Sequence, residues 1–328
     1  MLKHTIEDVQ SENDLLRQDC TKMLLYMRCP RRYFFEHILG KRTEGSNFHL
    51  IYGRAIHEGM EIIIMRQTAD DVTKTLTMAM DAFDKVYLNE MPEDMMGTYK
   101  HKTRENAHLL FKEYMQYYHN DSFDPLYTEV AGEVGIGNNQ FGQPRTMMFK
   151  IDAIIKNHAD GKLWILEHKT ATRKSDEQWQ AHIQPRLYLH VLHSLKSEVE
   201  IGGTIMNTLI LKDPTTKVAQ TRQYVNEFNR ERLILSGDQM LSFLDTVNEW
   251  VSRIEDDYRR YLVQRENGME LTAFPQACSS CYDYFRICPY NNICAFSRYK
   301  ADQEFNASGF VDFHWDPLKE FKQLKEKE

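Results

Sequence analysis

Long apolar runs are missing from this 328-residue chain. A bilayer-spanning helix needs about 20 consecutive apolar residues, so no such span and no membrane partner is expected. The opening stretch MLKHTIEDVQSENDLLRQDC is polar and lacks both an apolar h-region and a cleavage site, which gives the expectation of an intracellular, cytoplasmic protein. Glycine and proline number only 15 and 9, and no linker, repeat or low-complexity block interrupts the chain. One domain, 21–298, is therefore expected between a polar segment, 1–20, and a charged tail, 299–328. Positive charge is also short: a net charge of −7 excludes a basic coat over the whole surface and leaves a local basic channel as the alternative. A G-x-x-x-x-G-K-[ST] phosphate loop is absent, so the sequence carries no motor signature.

What is present is a change of texture along the chain. Thr21 to Leu39, TKMLLYMRCPRRYFFEHIL, reads as a helical entry broken at Pro30. Helical periodicity recurs in YGRAIHEGMEIIIMRQ, DDVTKTLTMAMDAFDKVYL and RENAHLLFKEYMQYYH. From about Leu126 to Glu167, short apolar or alternating stretches separated by NNQFGQPR and NHADGK predict a three-strand meander. A helix is expected over DEQWQAHIQPRLYLHVLHSLKS, strands over GGTIMNTLILK and AQTRQYVN, and a long helix from about Gly237 to Gln264. That order predicts an α/β or α+β core with helical additions.

Three charges fall inside segments that should be buried strands. Asp152 interrupts MMFKIDAII, and LWILEHK ends in Glu167 and Lys169. Buried charges are costly unless paired or bound to a metal. Residues i and i+2 of a strand share a face, so Glu167 and Lys169 point together and His168 points away. A hairpin closed at NHADG sets Asp152 beside Glu167. Two carboxylates and an amine on one face suit Mg²⁺ or Mn²⁺, with the ion activating water at a phosphodiester and Lys169 orienting the nucleophile. A cross-strand salt bridge is the bland alternative. Gln184 and Tyr188, four residues apart on the next helix, share a face turned to the same cleft. Glu129 or Glu133 on the preceding strand is a further candidate ligand.

An Asp on one strand, Glu-x-Lys on the next and Gln-x-x-x-Tyr on the following helix resemble the RecB-type branch of the PD-(D/E)XK nuclease superfamily, from about Thr21 to Cys294. The resemblance implies a restriction-endonuclease-like central mixed sheet flanked by helices. It implies a metal-dependent DNA nuclease whose catalytic residues are Asp152, Glu167, Lys169, Gln184 and Tyr188. It nominates His57, in GRAIHEG with Gly53, as a metal ligand with Asp152 and Glu167, and Thr170 fits the residue that follows the motif. The implied substrate is DNA, single-stranded or with free ends, cut as by an exonuclease in recombination, repair, or CRISPR and phage DNA processing. A separate helicase or recombination protein is the implied partner. The alternative is a catalytically silent nuclease-fold protein that binds nucleic acid or a partner and carries a Cys₄ metal site.

Six cysteines are present, four of them in CSSCYDYFRICPYNNIC. In an intracellular chain these read as thiols or metal ligands, either a Cys₄ zinc knot or scattered buried thiols. The resemblance adds a [4Fe–4S] cluster, held in similar CRISPR-adaptation exonucleases and helicase–nuclease subunits by one cysteine before the core and three after it. CPRRYFFEHILG then nominates Cys29, and CPYNNIC nominates Cys288 and Cys294. The family's C-x-x-C position falls here on Phe285, so the fourth ligand is assigned to Cys281, with Cys278 the alternative. Such a cluster would join the N- and C-terminal helical segments as a staple. Arg28, Arg31 and Arg32 beside Cys29 are candidate phosphate contacts.

Overall fold

The computed structural model describes residues 16–45, 47–66, 71–174, 179–195, 198–212, 224–283, 286–295 and 298–313. β1 (Gln18–Asp19) leads into α1 (Cys20–Arg28), whose first turn is capped by the Asp19 carboxylate through the N–H groups of Thr21 and Lys22. Pro30 cannot continue that helix. It instead opens α2 (Pro30–Tyr33) at the first helical position, and the chain then widens into a π turn over Phe34–Ile38. After β2 (Lys41–Thr43) come three helices, α3 (Phe48–Met65), α4 (Val72–Glu90) and α5 (Arg104–Tyr117), with side-chain caps from Asn47, Asp71 and Thr103. The expected meander follows as β3 (Phe123–Asn138), β4 (Pro144–Asn157) and β5 (Leu163–Ala171). Then come α6 (Ile183–Ser194), β6 (Ile201–Lys212), β7 (Val225–Leu233) and α7 (Gly237–Glu266). Short elements close the order: β8 (Tyr282–Asp283), β9 (Arg286–Ile287), α8 (Asn291–Cys294) and β10 (Phe310–Asp312).

Two elements differ from the sequence expectation. The helix expected from Asp176 starts at Ile183, because Pro185 is tolerated only in a first turn; Trp179–Ala181 before it is a 3₁₀ turn. The strand expected over 219–226 is β7, described over Val225–Leu233, seven residues beyond the expected end; 219–223 lie outside the described residues. As the end strand of the sheet it is half-exposed and polar, VNEFNRERL, so its hydrophobic signal is weak.

The chain divides into two compact units. One comprises Ser46–Ala131 and Lys150–Gly237, the other Met1–Gly45, Gly132–Phe149 and Asp238–Glu328. In the first, β5 pairs antiparallel with β4 and parallel with β6, and β6 pairs antiparallel with β7. The NHADGK turn fixes this arrangement. Gly161 takes φ +69°, its N–H reaches the Asn157 carbonyl, and Lys156 is set opposite Leu163. Helices α3, α4 and α5 cover one sheet face with Tyr52, Ile56, Met60, Phe83 and Phe111 against Leu209 and Leu211. Each such side chain contributes about 1.5–3 kcal/mol on burial. Gly59 is required where α3 meets Phe111, since a Cβ there would lie 2.3 Å from the ring. Helix α6 packs on β5 and β6. The full sheet, in the order β1–β4–β5–β6–β7 with β3 also on β4, is mixed and flanked by helices, as expected.

The second unit is built on aromatic rings: Tyr26, Tyr33, Phe34, Phe35, Tyr258, Tyr261, Phe274 and Tyr290 are all buried there. Arg31 is buried among them and is not a phosphate contact. Its guanidinium donates to the carbonyls of Phe274 (2.8 Å) and Leu271 (2.6 Å), and its backbone N–H to that of Pro275. Among the described residues, no helix is long and apolar enough to cross a membrane.

Candidate active site

The β4–β5 register runs from Lys156↔Leu163 to Ala153↔Leu166. One step further it would set Asp152 opposite Glu167, and there side chains replace the ladder. The His168 N–H donates to Asp152 Oδ2 at 2.7 Å, and the Asp152 N–H donates to Glu167 Oε2 at 3.5 Å. Each carboxylate therefore takes a backbone donor from the opposite strand, a donor that would otherwise be buried unmet. The two acids are held in place by the strands that carry them.

Glu167 is only 2% exposed. Its Oε1 accepts from Lys169 Nζ and from Gln184 Nε2, both at 2.9 Å. Gln184 Nε2 is also 2.8 Å from the Tyr188 hydroxyl, which donates to the Lys150 carbonyl. Burial, then the charge of Asp152, pushes the Glu167 carboxyl up to about 7, with Lys169 opposing. Burial also raises Asp152, but the charge and hydrogen bond of His57 outweigh it and hold that carboxyl well below the usual range. Near neutral pH the pair carries one firm negative charge and one that titrates.

His57, on α3, places Nδ1 3.1 Å from Asp152 Oδ1. Burial lowers its affinity for a proton, but Asp152 more than compensates and the ring ends above its ordinary value. Donor atoms of His57, Glu129 and Asp152 gather within 4.8 Å of one another, and among the described residues no other three such groups do so. One imidazole and two carboxylates suit Mn²⁺ or Mg²⁺. Glu167, expected as a ligand, lies outside this group of three. Of the two glutamates left open, Glu129 joins the group, while Glu133 pairs with Arg17 and accepts from Thr146. Glu129 arrives in a left-handed backbone conformation, φ +50°, which costs a non-glycine residue about 1–2 kcal/mol. Gly53 stands beside Thr170, and a Cβ there would lie 3.9 Å from Oγ1, an ordinary contact.

On the reverse face, His168 lines up with Asn207 of β6 and Arg230 of β7. Asn207 Nδ2 is 2.7 Å from His168 Nδ1, and Arg230 Nε donates to Asn207 Oδ1 at 3.3 Å. Arg230 in turn pairs with Asp121 at 2.6 Å and lies 3.5 Å over the Tyr118 ring. Arginine has donors only, so the amide turns its oxygen to Arg230 and its nitrogen to His168. His168 Nδ1 must then accept, and the ring proton sits on Nε2. Burial pushes the His168 pKa down to about 3, so the ring is neutral. The Glu-His-Lys alternation marks the face His168 uses, but nothing local points to Asn207 or Arg230.

In the other unit, Cys29 ends α1, the Cys288 N–H donates to the Cys281 carbonyl at 2.8 Å, and Cys294 closes α8. Burial first, then neighbouring thiols, raises Cys281, which interacts with Cys278, Cys288 and Cys29. Burial pushes Cys294 up to about 11, with Arg31 opposing and Cys29 and Cys281 adding to the rise. Cys278 is exposed, and Cys20 is buried.

No curated protein sequence is significantly similar to the chain. Among solved structures, the crystal structure of SSO0001 is similar over 61% of this chain and 85% of that one, at 15% identity and a TM-score of 0.24, too low to bear on fold or function. The profile described as the PD-(D/E)XK nuclease superfamily matches residues 20–295. That span takes in most of the sequence, including the hairpin on which Asp152 and Glu167 exchange backbone donors, and the chain belongs to the PD-(D/E)XK nuclease superfamily.

Proposed function

We propose that the protein is a metal-dependent DNA nuclease of the RecB-type branch, an exonuclease working on single strands from a free end. The observation that carries this reading is the interlock of Asp152 and Glu167, with Lys169 and Gln184 bonded to Glu167 and with His57 and Glu129 beside Asp152. Superfamily membership gives phosphodiester hydrolysis as the reaction and nucleic acid as the substrate.

His57, Glu129 and Asp152, with Glu167 adjoining, are the residues that would hold Mg²⁺ or Mn²⁺. Such an ion supplies Lewis acidity, making water more acidic and neutralising charge that grows on the phosphate. Lys169 orients the attacking water from its place on Glu167. Glu167, whose carboxyl burial raises above its ordinary value, takes the proton from the attacking water as the new P–O bond forms and the leaving oxygen departs. Gln184 and Tyr188 are positioning residues: they hold the Glu167 carboxylate through a chain that ends on the Lys150 carbonyl.

Cys29, Cys281, Cys288 and Cys294 would hold a [4Fe–4S] cluster in the second unit. These thiols, with Cys278 beside Cys281, lie near enough to raise one another, and Cys281 is less exposed than Cys278. A helicase or recombination protein that supplies single strands is the fitting partner.

The test is cleavage of end-labelled single- and double-stranded DNA with Mg²⁺ or Mn²⁺, beside Lys169→Ala. Metal-dependent shortening of single strands, lost in the variant, is the expected result, and the product ladder reads the polarity. Iron-replete protein that binds DNA but leaves every substrate intact would replace this reading with a silent nuclease-fold binding protein.

A further inference from the structure

Lys150 lies two residues before Asp152 on β4, so the two side chains leave the same face of the strand. Its Nζ sits 2.6 Å from Glu129 Oε2. Glu129 is one of the three groups gathered around the candidate metal position. The Lys150 carbonyl accepts the Tyr188 hydroxyl, so its backbone is tied to the support of Glu167 while its ammonium is tied to a ligand carboxylate. That ammonium belongs to a side chain 47% exposed, where an ion pair adds little to folding. The chain nevertheless keeps Glu129 in a strained conformation beside it. Strain of this kind persists where a functional site demands it.

We propose that Lys150 exchanges partners during the reaction cycle. It neutralises Glu129 until a divalent ion takes that carboxylate, and its ammonium is then presented to a phosphate oxygen of the bound strand. The proposal rests on the metal-dependent nuclease reading and deepens it. A divalent ion and an ammonium on the same carboxylate repel each other strongly at such short range. A lysine has the flexible stem needed to leave without backbone movement, and its compact charge suits a phosphate oxygen.

Partner exchange makes opposite demands on the two ligands. Removing the ammonium should help the metal and hurt the DNA, whereas a purely structural ion pair would not separate them in this way. The experiment measures Mn²⁺ uptake by titration calorimetry on the full-length protein without nucleic acid. Oligonucleotide binding is read by fluorescence anisotropy with Mn²⁺ in a Lys169→Ala background, so that the strand stays intact. Lys150→Met is expected to bind Mn²⁺ about tenfold more tightly and the oligonucleotide about tenfold more weakly, with Lys150→Arg close to the parent in both. Unchanged or weaker Mn²⁺ affinity in Lys150→Met overturns the proposal, as does unchanged oligonucleotide affinity. Lys150→Arg behaving like Lys150→Met also overturns it, because shape and not charge would then decide. If the parent protein takes up no Mn²⁺ and Asp152→Asn changes nothing, the metal-site reading fails and the proposal with it, an outcome separate from any comparison among Lys150 variants.

Discussion

In the sheet unit the acidic side chains are fixed by strands that run for 14 and 9 residues, and each carboxylate is bonded to the backbone of the other strand. In the cysteine unit, Cys281, Cys288 and Cys294 hang on two-residue strands, a four-residue helix and the turns between them. The second arrangement has little regular structure of its own and leans on the aromatic packing around Cys288 and Cys294.

The largest expected effect separates chemistry from folding. Asp152→Asn should lower metal-dependent cleavage by about 10³-fold while leaving the thermal midpoint nearly unchanged, as measured by kcat/KM and a melting curve. A midpoint that collapsed with activity would show that the sheet unit needs its ionised acid to fold. Cys29→Ser should do the reverse. It should release most of the bound iron and lower the melting of its unit by about 10 °C, as expected for a loss of ~3–5 kcal/mol. Iron retained at full content would remove Cys29 from the ligand set.

A smaller effect follows from protons. Glu167 titrates near 7 and His57 is held above its ordinary value, so both shed protons when the site takes an ion. Affinity for Mn²⁺ should therefore weaken as the pH falls below 7, one decade per unit for each displaced proton and so approaching about a hundredfold per unit, read by calorimetry in buffers of different ionisation heat. Asp152 stays ionised throughout that window, so a flat profile would place the proton release elsewhere. The smallest effect tests strain. Glu129→Gly should raise metal-free stability by about 1 kcal/mol in urea while weakening Mn²⁺ binding. A fall in stability would mean that the Lys150 pair outweighs the backbone cost.

The parts of the site that could be read from the sequence are those fixed by short-range geometry. A five-residue turn and the two-residue period of strands set Asp152, Glu167 and Lys169 on one hairpin, and the helical period joined Gln184 to Tyr188. Glu129 could not be told from Glu133, because a left-handed φ leaves no trace in residue type when the residue is not glycine. Arg31 looked like a surface charge beside Cys29, yet its partners are carbonyls of Leu271 and Phe274, more than two hundred residues away. The same distance problem hid the row formed by His168, Asn207 and Arg230. The mixed sheet was legible in outline, but the polar end strand was displaced because half of it faces water.

That row governs the protonation of the ring beneath the candidate site. Arg230 keeps its charge at any physiological pH, and through the Asn207 amide it dictates which nitrogen of His168 carries hydrogen. The imidazole beneath the carboxylates is thereby electrically quiet: it offers no reserve of protons and accepts none over the range of about 5 to 8 in which histidines ordinarily switch. Protons exchanged at the Asp152–Glu167 pair are left to the groups bonded to it, His57 and Lys169.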